Sequence, residues 1–194
     1  SIVLVPEISL TPQMIERFKG RFGKDISIFH SRLSEGERFD EWHRVKNGEV
    51  KIAVGARSAL FLPFADLGLI VVDEEHETSY KSEMSPKYSA VELAEFMMKR
   101  KGGRLVLASA TPSIASYHRA VTGEIGLITL DKRATKGTLP QMTAVDMRNE
   151  LKAGNRTMFS RVLREEIEKA LASKEQVILF LNRRGYSTFV SCRS

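Results

Sequence analysis

A single cysteine, Cys192, among 194 residues leaves nothing for an internal disulfide to form from. A reducing compartment, the cytoplasm, is the natural reading. No apolar run approaches the ~18 residues that a membrane-spanning helix needs, so no membrane association is expected. No basic-then-apolar leader opens the chain. Internal repeats and low-complexity segments are also lacking. His30 and His43 have no partners at metal-ligand spacing and are assigned no catalytic role.

What is present is an ordinary globular composition, 42% hydrophobic and 28% charged. It fits one large α/β domain or one domain plus part of another. The net charge of +6 is unevenly placed. Residues 1–130 hold 17 Lys/Arg and 17 Asp/Glu, whereas residues 131–194 hold 13 and 7, so the second stretch supplies the whole excess. A local basic excess attracts nucleic-acid phosphates, although a solvated basic surface would look the same.

Strand and helix patterns alternate. "SIVLVPE" reads as a strand, and "LTPQMIERFKGRFG" as a helix with Thr11 as N-cap, Pro12 at its first position and Gly23 to end it. "DISIFH" is a second strand. A helix with a Ser34/Glu37 capping box and a terminating Gly48 follows. "EVKIAVG" and "LGLIVVDE" are the third and fourth strands. A helix over Ser89–Arg100, again with a capping-box pattern (Ser89, Glu92), precedes a fifth strand, "GRLVLASA". A short helix opened by Thr111-Pro112 and a sixth strand, "EIGLITL", complete this part. The alternation predicts a doubly wound, mostly parallel sheet. Phe39, Trp42 and Val45 share a helical face, as do Val91, Ala94, Met97 and Met98, and both stripes are expected in the core. Residues 131–155 read as a linker with a short strand at "MTAVDM". A second domain is expected over 156–194, with a helix in "SRVLREEIEKALAS" and a buried strand in "QVILFLNRRGYS".

In doubly wound sheets ligands bind beyond the carboxyl ends of the strands. Pro6-Glu7, Arg57-Ser58, Asp73 to His76, Ser109 to Thr111 and "NRRG" all fall there. The stretch "LIVVDEEH" runs four apolar residues into three carboxylates and a histidine. Such a cluster suits a site where one carboxylate holds a hydrated magnesium ion and the next orients or deprotonates a water. It also suits a merely solvated strand end.

"DEEH" resembles the DExH box of superfamily 2 helicases. "VPEISLTPQ", "GARSALFLPF", "DEEHETSYK", "SATPS" and "LFLNRRGYS", in this order and spacing, are similar to the primosomal replication-restart helicases of that superfamily, over essentially the whole chain. The resemblance implies a RecA-like first lobe over 1–130 and the start of a second over 156–194. It implies an ATP-dependent, 3′-to-5′ DNA helicase that acts at stalled forks and starts primosome assembly. The implied partners are forked DNA, primosome proteins and single-strand DNA-binding protein, in a nucleoid-associated bacterial setting.

By that resemblance Asp73 would bind magnesium through water, Glu74 would be the catalytic base, and His76 would sense nucleotide and communicate with Ser109 and Thr111. Pro6, Thr11, Arg57 and Ser58 would lie on a single-strand DNA track. Tyr80, Lys81, Lys87 and Tyr88 would be the DNA-facing part of a coupling loop, through stacking and phosphate contact. Asn182, Arg183, Arg184 and Gly185 would open the second lobe, and Cys192 would be the first ligand of a zinc site left incomplete. The chain departs from the family at Ala56, where threonine is usual, and at "KYSAVE". The family's Gly-rich phosphate loop belongs upstream of Ser1. The chain is therefore expected to be an excised fragment, inactive alone. Its "RLVLA" strand would be an open edge, to be paired by "EIGLITL" or by self-association. Another superfamily 2 translocase and a non-catalytic DNA-binding or primosome-assembly module are the alternative readings.

Overall fold

The computed structural model describes residues 1–132 and 140–180. The chain divides into two compact units, Ser1–Thr129 and Leu130–Ser194. Among the described residues no helix is long and apolar enough to cross a membrane.

The first unit is built on five parallel strands: β1 (Ile2–Leu4), β2 (Ile26–Phe29), β3 (Ile52–Gly55), β4 (Leu69–Val72) and β5 (Arg104–Leu107), in the spatial order β2-β3-β1-β4-β5. The register aligns their carboxyl ends. Phe29 pairs with Gly55, Gly55 with Leu4, Leu4 with Val72, and Val72 with Leu107, in one row across the sheet. Residues just beyond that row therefore share an edge.

The central strands are nearly pure Ile, Leu and Val because both faces are covered. Ile2, Leu4, Ile70 and Val72 are fully buried. One face packs with Ala90, Ala94 and Met98 of α3 (Ala90–Lys101), and Val91 and Met97 border the same cluster as expected. Val45 of α2 (Glu35–Lys46) is buried and Trp42 packs beside it. Phe39 does not join them. It is 63% exposed, with its ring 4.0 Å from that of His43. The other face holds Val5, Leu10, Ile26 and Val54 against Met14, Phe18 and Phe22 of α1 (Pro12–Phe22).

Local signals set the helix ends. Thr11 caps the Met14 amide and Gly23 ends α1 at φ 58°. Ser34 and Glu37 form the reciprocal capping box of α2. Ser89 caps α3 by accepting from the Glu92 amide. The cap of α4 (Ile114–Val121) differs from the expected Thr-Pro opening. Ser113 holds that place and accepts from the Ser116 amide.

The sixth strand does not form. Residues 124–130 carry no strand pairing, and among the described residues β5 is an edge. Ile125, Leu127 and Ile128 run beside Leu105 and Leu107 along a groove without joining the ladder. The turn after α4 is tied down instead, with the amides of Glu124 and Ile125 bonded to the Arg119 carbonyl, which keeps the following residues out of strand geometry. Lying at an edge, β5 is less buried than its neighbour, and Val106 is 45% exposed.

In the second unit α5 (Met147–Lys152) and α6 (Arg161–Ala172) form. Within the expected linker, residues 147–152 are helical, and "MTAVDM" is not a strand. Asp146 caps α5 instead. Residues 176–180 are not strand either, and Ile178 is 93% exposed. An extended apolar segment needs a neighbour for its amides, and among the described residues of this unit no strand offers one. The rest of that expected strand lies outside the described residues.

One buried carboxylate organises this unit. Glu150 accepts from the Arg161 amide at 2.9 Å, from Asn155 Nδ2 at 2.7 Å and from the Arg161 guanidinium. The guanidinium, first, and these amide donors hold its pKa down at about 2. Because the folded value lies below the ordinary 4.5, the clamp stabilises the unit above pH 4.5 and is lost as pH falls towards 2. A carboxyl-carbon NMR titration of the chain should find Glu150 still ionised at about pH 3.5, where an ordinary glutamate is mostly protonated. Titration near 4.5 would show that the clamp is not made.

Candidate functional site

Four sequence segments meet on the carboxyl edge of the sheet. Asp73 follows β4, and its amide extends the ladder by bonding the Leu4 carbonyl at 2.9 Å. Beside it Ala108 bonds the Val72 carbonyl at 2.8 Å, and the Glu75 amide returns to the Ala108 carbonyl at 3.1 Å. The β4–β5 register therefore continues past both strands and fixes "DEEH" against "SAT".

Between these ladder contacts the chain turns sharply at Glu74, whose φ is 48°. Non-glycine residues rarely occupy that left-handed region. The turn lifts Asp73 and Glu74, both part-exposed, to the rim while Glu75 turns inward. Asp73 Oδ1 accepts from the Glu74 amide at 3.1 Å.

His76 and Ser109 are joined. Their Nδ1 and Oγ atoms lie 2.8 Å apart, Ser109 Oγ is 3.4 Å from Glu74 Oε2, and it accepts from the Thr111 amide at 3.0 Å. His76 Nδ1 stands 3.6 Å from the same Glu74 oxygen. A serine hydroxyl has one proton. If Ser109 donates to Glu74, it accepts from the Nδ1–H tautomer of His76; if it donates to His76, Glu74 is released. The hydroxyl can thus pass the state of one group to the other by rotating about one bond.

Glu75 does something else. It is 7% exposed, and its carboxylate accepts from the Ser113 amide at 2.6 Å and from the Ser116 hydroxyl at 3.0 Å. No sequence signal separated it from its two acidic neighbours.

The expected DNA-track residues divide. Thr11 and Ser58 are exposed, whereas Pro6 is buried. Arg57, half-buried, donates through Nη1 to the carbonyls of Ser79 at 3.1 Å and Lys81 at 2.6 Å, so it braces the loop after "DEEH". In that loop Lys81 and Lys87 are exposed, but the tyrosines turn inward. Tyr88 meets Phe61 edge-on at 5.5 Å. Tyr80 is 2% exposed and donates its hydroxyl to the Asp73 carbonyl at 2.6 Å. The expectation that Tyr80 stacks on DNA is therefore corrected, because its ring is core and its hydroxyl braces the acidic turn. Burial, with the nearby Asp73 second, pushes its phenol well above the usual tyrosine range. A loop rich in polar residues hides this, since only the packing separates an anchor tyrosine from a surface one. Asn182, Arg183, Arg184, Gly185 and Cys192 lie outside the described residues.

Asp73 and Glu74 offer hard oxygen donors, as magnesium prefers. Among the described residues no three His, Cys, Asp or Glu side chains converge as a metal cage. Asp73 and Glu74 could therefore supply at most part of a cation's ligand set.

The model of the family described as DEAD/DEAH box helicase matches residues 1–120. Replication restart protein PriA of Bacillus subtilis (strain 168) is 53% identical over 193 residues, covering 100% of this chain and 24% of the relative. The PriA of Synechocystis is 45% identical over 198 residues, with 100% and 24% covered. That of Haemophilus influenzae is 39% identical over 191 residues, with 98% and 26% covered. The chain spans about a quarter of the length of these curated relatives. Among solved structures, the C-terminal domain of the DEAD-box protein Dbp5 overlaps 64% of this chain and 69% of its own at a TM-score of 0.40 and 15% identity, too loose a match to carry an argument. The parallel α/β sheet is thus RecA-like through the family model, and on that match the chain belongs to the DEAD/DEAH box helicase family.

Proposed function

We propose that this chain is the acidic half of the nucleotide site of a PriA-like, ATP-dependent 3′-to-5′ DNA helicase that works in replication restart. The observation that carries the reading is the Glu74–Ser109–His76 contact on the sheet's carboxyl edge. In that reading Asp73 holds a hydrated magnesium ion that accompanies ATP and offsets phosphate charge. Glu74 orients the attacking water and takes its proton. Ser109, Thr111 and His76 relay the state of that carboxylate towards Thr11, Ser58, Lys81 and Lys87, where single-stranded DNA would run. Forked DNA, primosome proteins and single-strand DNA-binding protein are the partners proposed for the whole protein, in a bacterial cytoplasm at the nucleoid. Zinc would bind beyond the described residues, starting at Cys192. The open edge of β5 supports self-association of this chain when it stands alone.

The test uses the longer protein that contains this chain, assayed for ATP turnover with and without single-stranded DNA and for unwinding of 3′-tailed duplex. Turnover that rises with single-stranded DNA is expected. DNA binding with no turnover at all would overturn the motor reading in favour of a non-catalytic binding module.

A further inference from the structure

Glu75 has no part in the chemistry proposed above, although it lies between Glu74 and His76. It is also the one member of the acidic turn that is buried, at 7% exposure. Burying a carboxylate is costly unless donors meet it. Among the described residues no Lys, Arg or His reaches it within 4 Å. Its charge is met by the start of α4. Oε1 takes the Ser113 amide at 2.6 Å, and Oε2 takes the hydroxyls of Ser116 at 3.0 Å and Ser113 at 3.3 Å. The positive end of the helix dipole faces the same carboxylate.

Two attachments therefore bracket residues 109–112. On one side Ala108 sits in the ladder through Val72 and the Glu75 amide. On the other, Ser113 hangs from the Glu75 carboxylate. The same residue supplies both, one through its main chain and one through its side chain. We infer that Glu75 is a positioning residue, a strut that ties the start of α4 to the end of β4 and so holds Ser109 within reach of His76 and Glu74. The inference rests on the motor reading for its effect on turnover, but not for the strut itself. A movement of the acidic turn would carry α4 with it.

Two arms test this. The first is amide hydrogen exchange on this chain. Glu75→Ala should raise exchange over 109–121 by at least about tenfold while leaving α3 protected, because the charge-assisted bonds to Ser113 and Ser116 are lost. Glu75→Gln should retain most protection, since its amide oxygen still accepts from Ser113 and its NH₂ can donate to Ser116. The second arm is ATP turnover in the longer protein, counted per nucleotide-binding site so that misfolded molecules drop out. Glu75→Ala, and Ser113→Ala with Ser116→Ala, should each lower kcat by ~10-fold or more with KM for ATP changed less than ~3-fold. Glu75→Gln should recover to within ~3-fold of the parent. Unchanged exchange over 109–121 in Glu75→Ala, or equal damage in the Gln and Ala variants, would overturn the strut. If the unsubstituted longer protein shows no turnover, the motor reading falls while the exchange arm still decides the strut.

Discussion

Glu74→Gln in the longer protein should cut DNA-stimulated ATP turnover by ~10²–10⁴-fold, the usual contribution of a positioned general base. Binding to single-stranded DNA should change little. The glutamine side chain has the same shape and can still meet Ser109, whose Oγ lies 3.4 Å from the carboxylate. What it loses is the capacity to take a proton. Glu75→Gln supplies the contrast, because it neutralises the adjacent carboxylate yet leaves Glu74 in place. Large loss at Glu74 with small loss at Glu75 separates chemistry from the general charge of the acidic turn. Turnover retained in Glu74→Gln would refute its role as base.

The second large effect concerns Gly55, at the last pair of β3. A Cβ there would overlap the Phe29 carbonyl oxygen and lie 2.9 Å from Ala59 Cβ. Neither can move freely. The Phe29 carbonyl accepts from the Ala56 amide, Ala59 is fully buried, and the Gly55 carbonyl is bonded by the Val5 amide at 2.9 Å. Gly55→Ala should therefore destabilise the first unit by ~3 kcal/mol, in the upper range for overpacking, and lower Tm by roughly 10 °C. Gly20→Ala is the control. Gly20 sits in α1 with nothing within 4 Å of its would-be Cβ, so alanine should be neutral or stabilise by ~0.5–1 kcal/mol. Equal urea midpoints for the two variants would contradict the tight pairing of Gly55 with Phe29 at the end of β2.

Most of the first unit could be read from residues because local and global signals agreed there. The Ile/Val/Leu runs were both strands and core, and Thr11, Ser34 and Ser89 were both cap types and caps. Reading failed where a segment's state depends on what lies beside it. "EIGLITL" has strand composition, yet its leading turn is held by bonds to Arg119. Phe39 follows the helical spacing of Trp42 and Val45 but is exposed and packs on His43 instead. In the site, the order of Asp73, Glu74, His76 and Ser109 suggested the cluster. The inward roles of Glu75, Tyr80 and Arg57 depend on which side chain the turn at Glu74 aims at which carbonyl or amide, and residue type does not encode that.

The backbone at Glu74 also bears on how this fold can evolve. A residue held at φ 48° costs about 1 kcal/mol that glycine would not incur. A lineage selected for thermal endurance alone would drift towards glycine or asparagine at this place and discard the carboxylate. On the proposed role of Glu74 as base, a glutamate in this backbone geometry trades durability for work. Stabilised variants should therefore be sought in the helices and loops away from this turn, where nothing sets the two demands against each other.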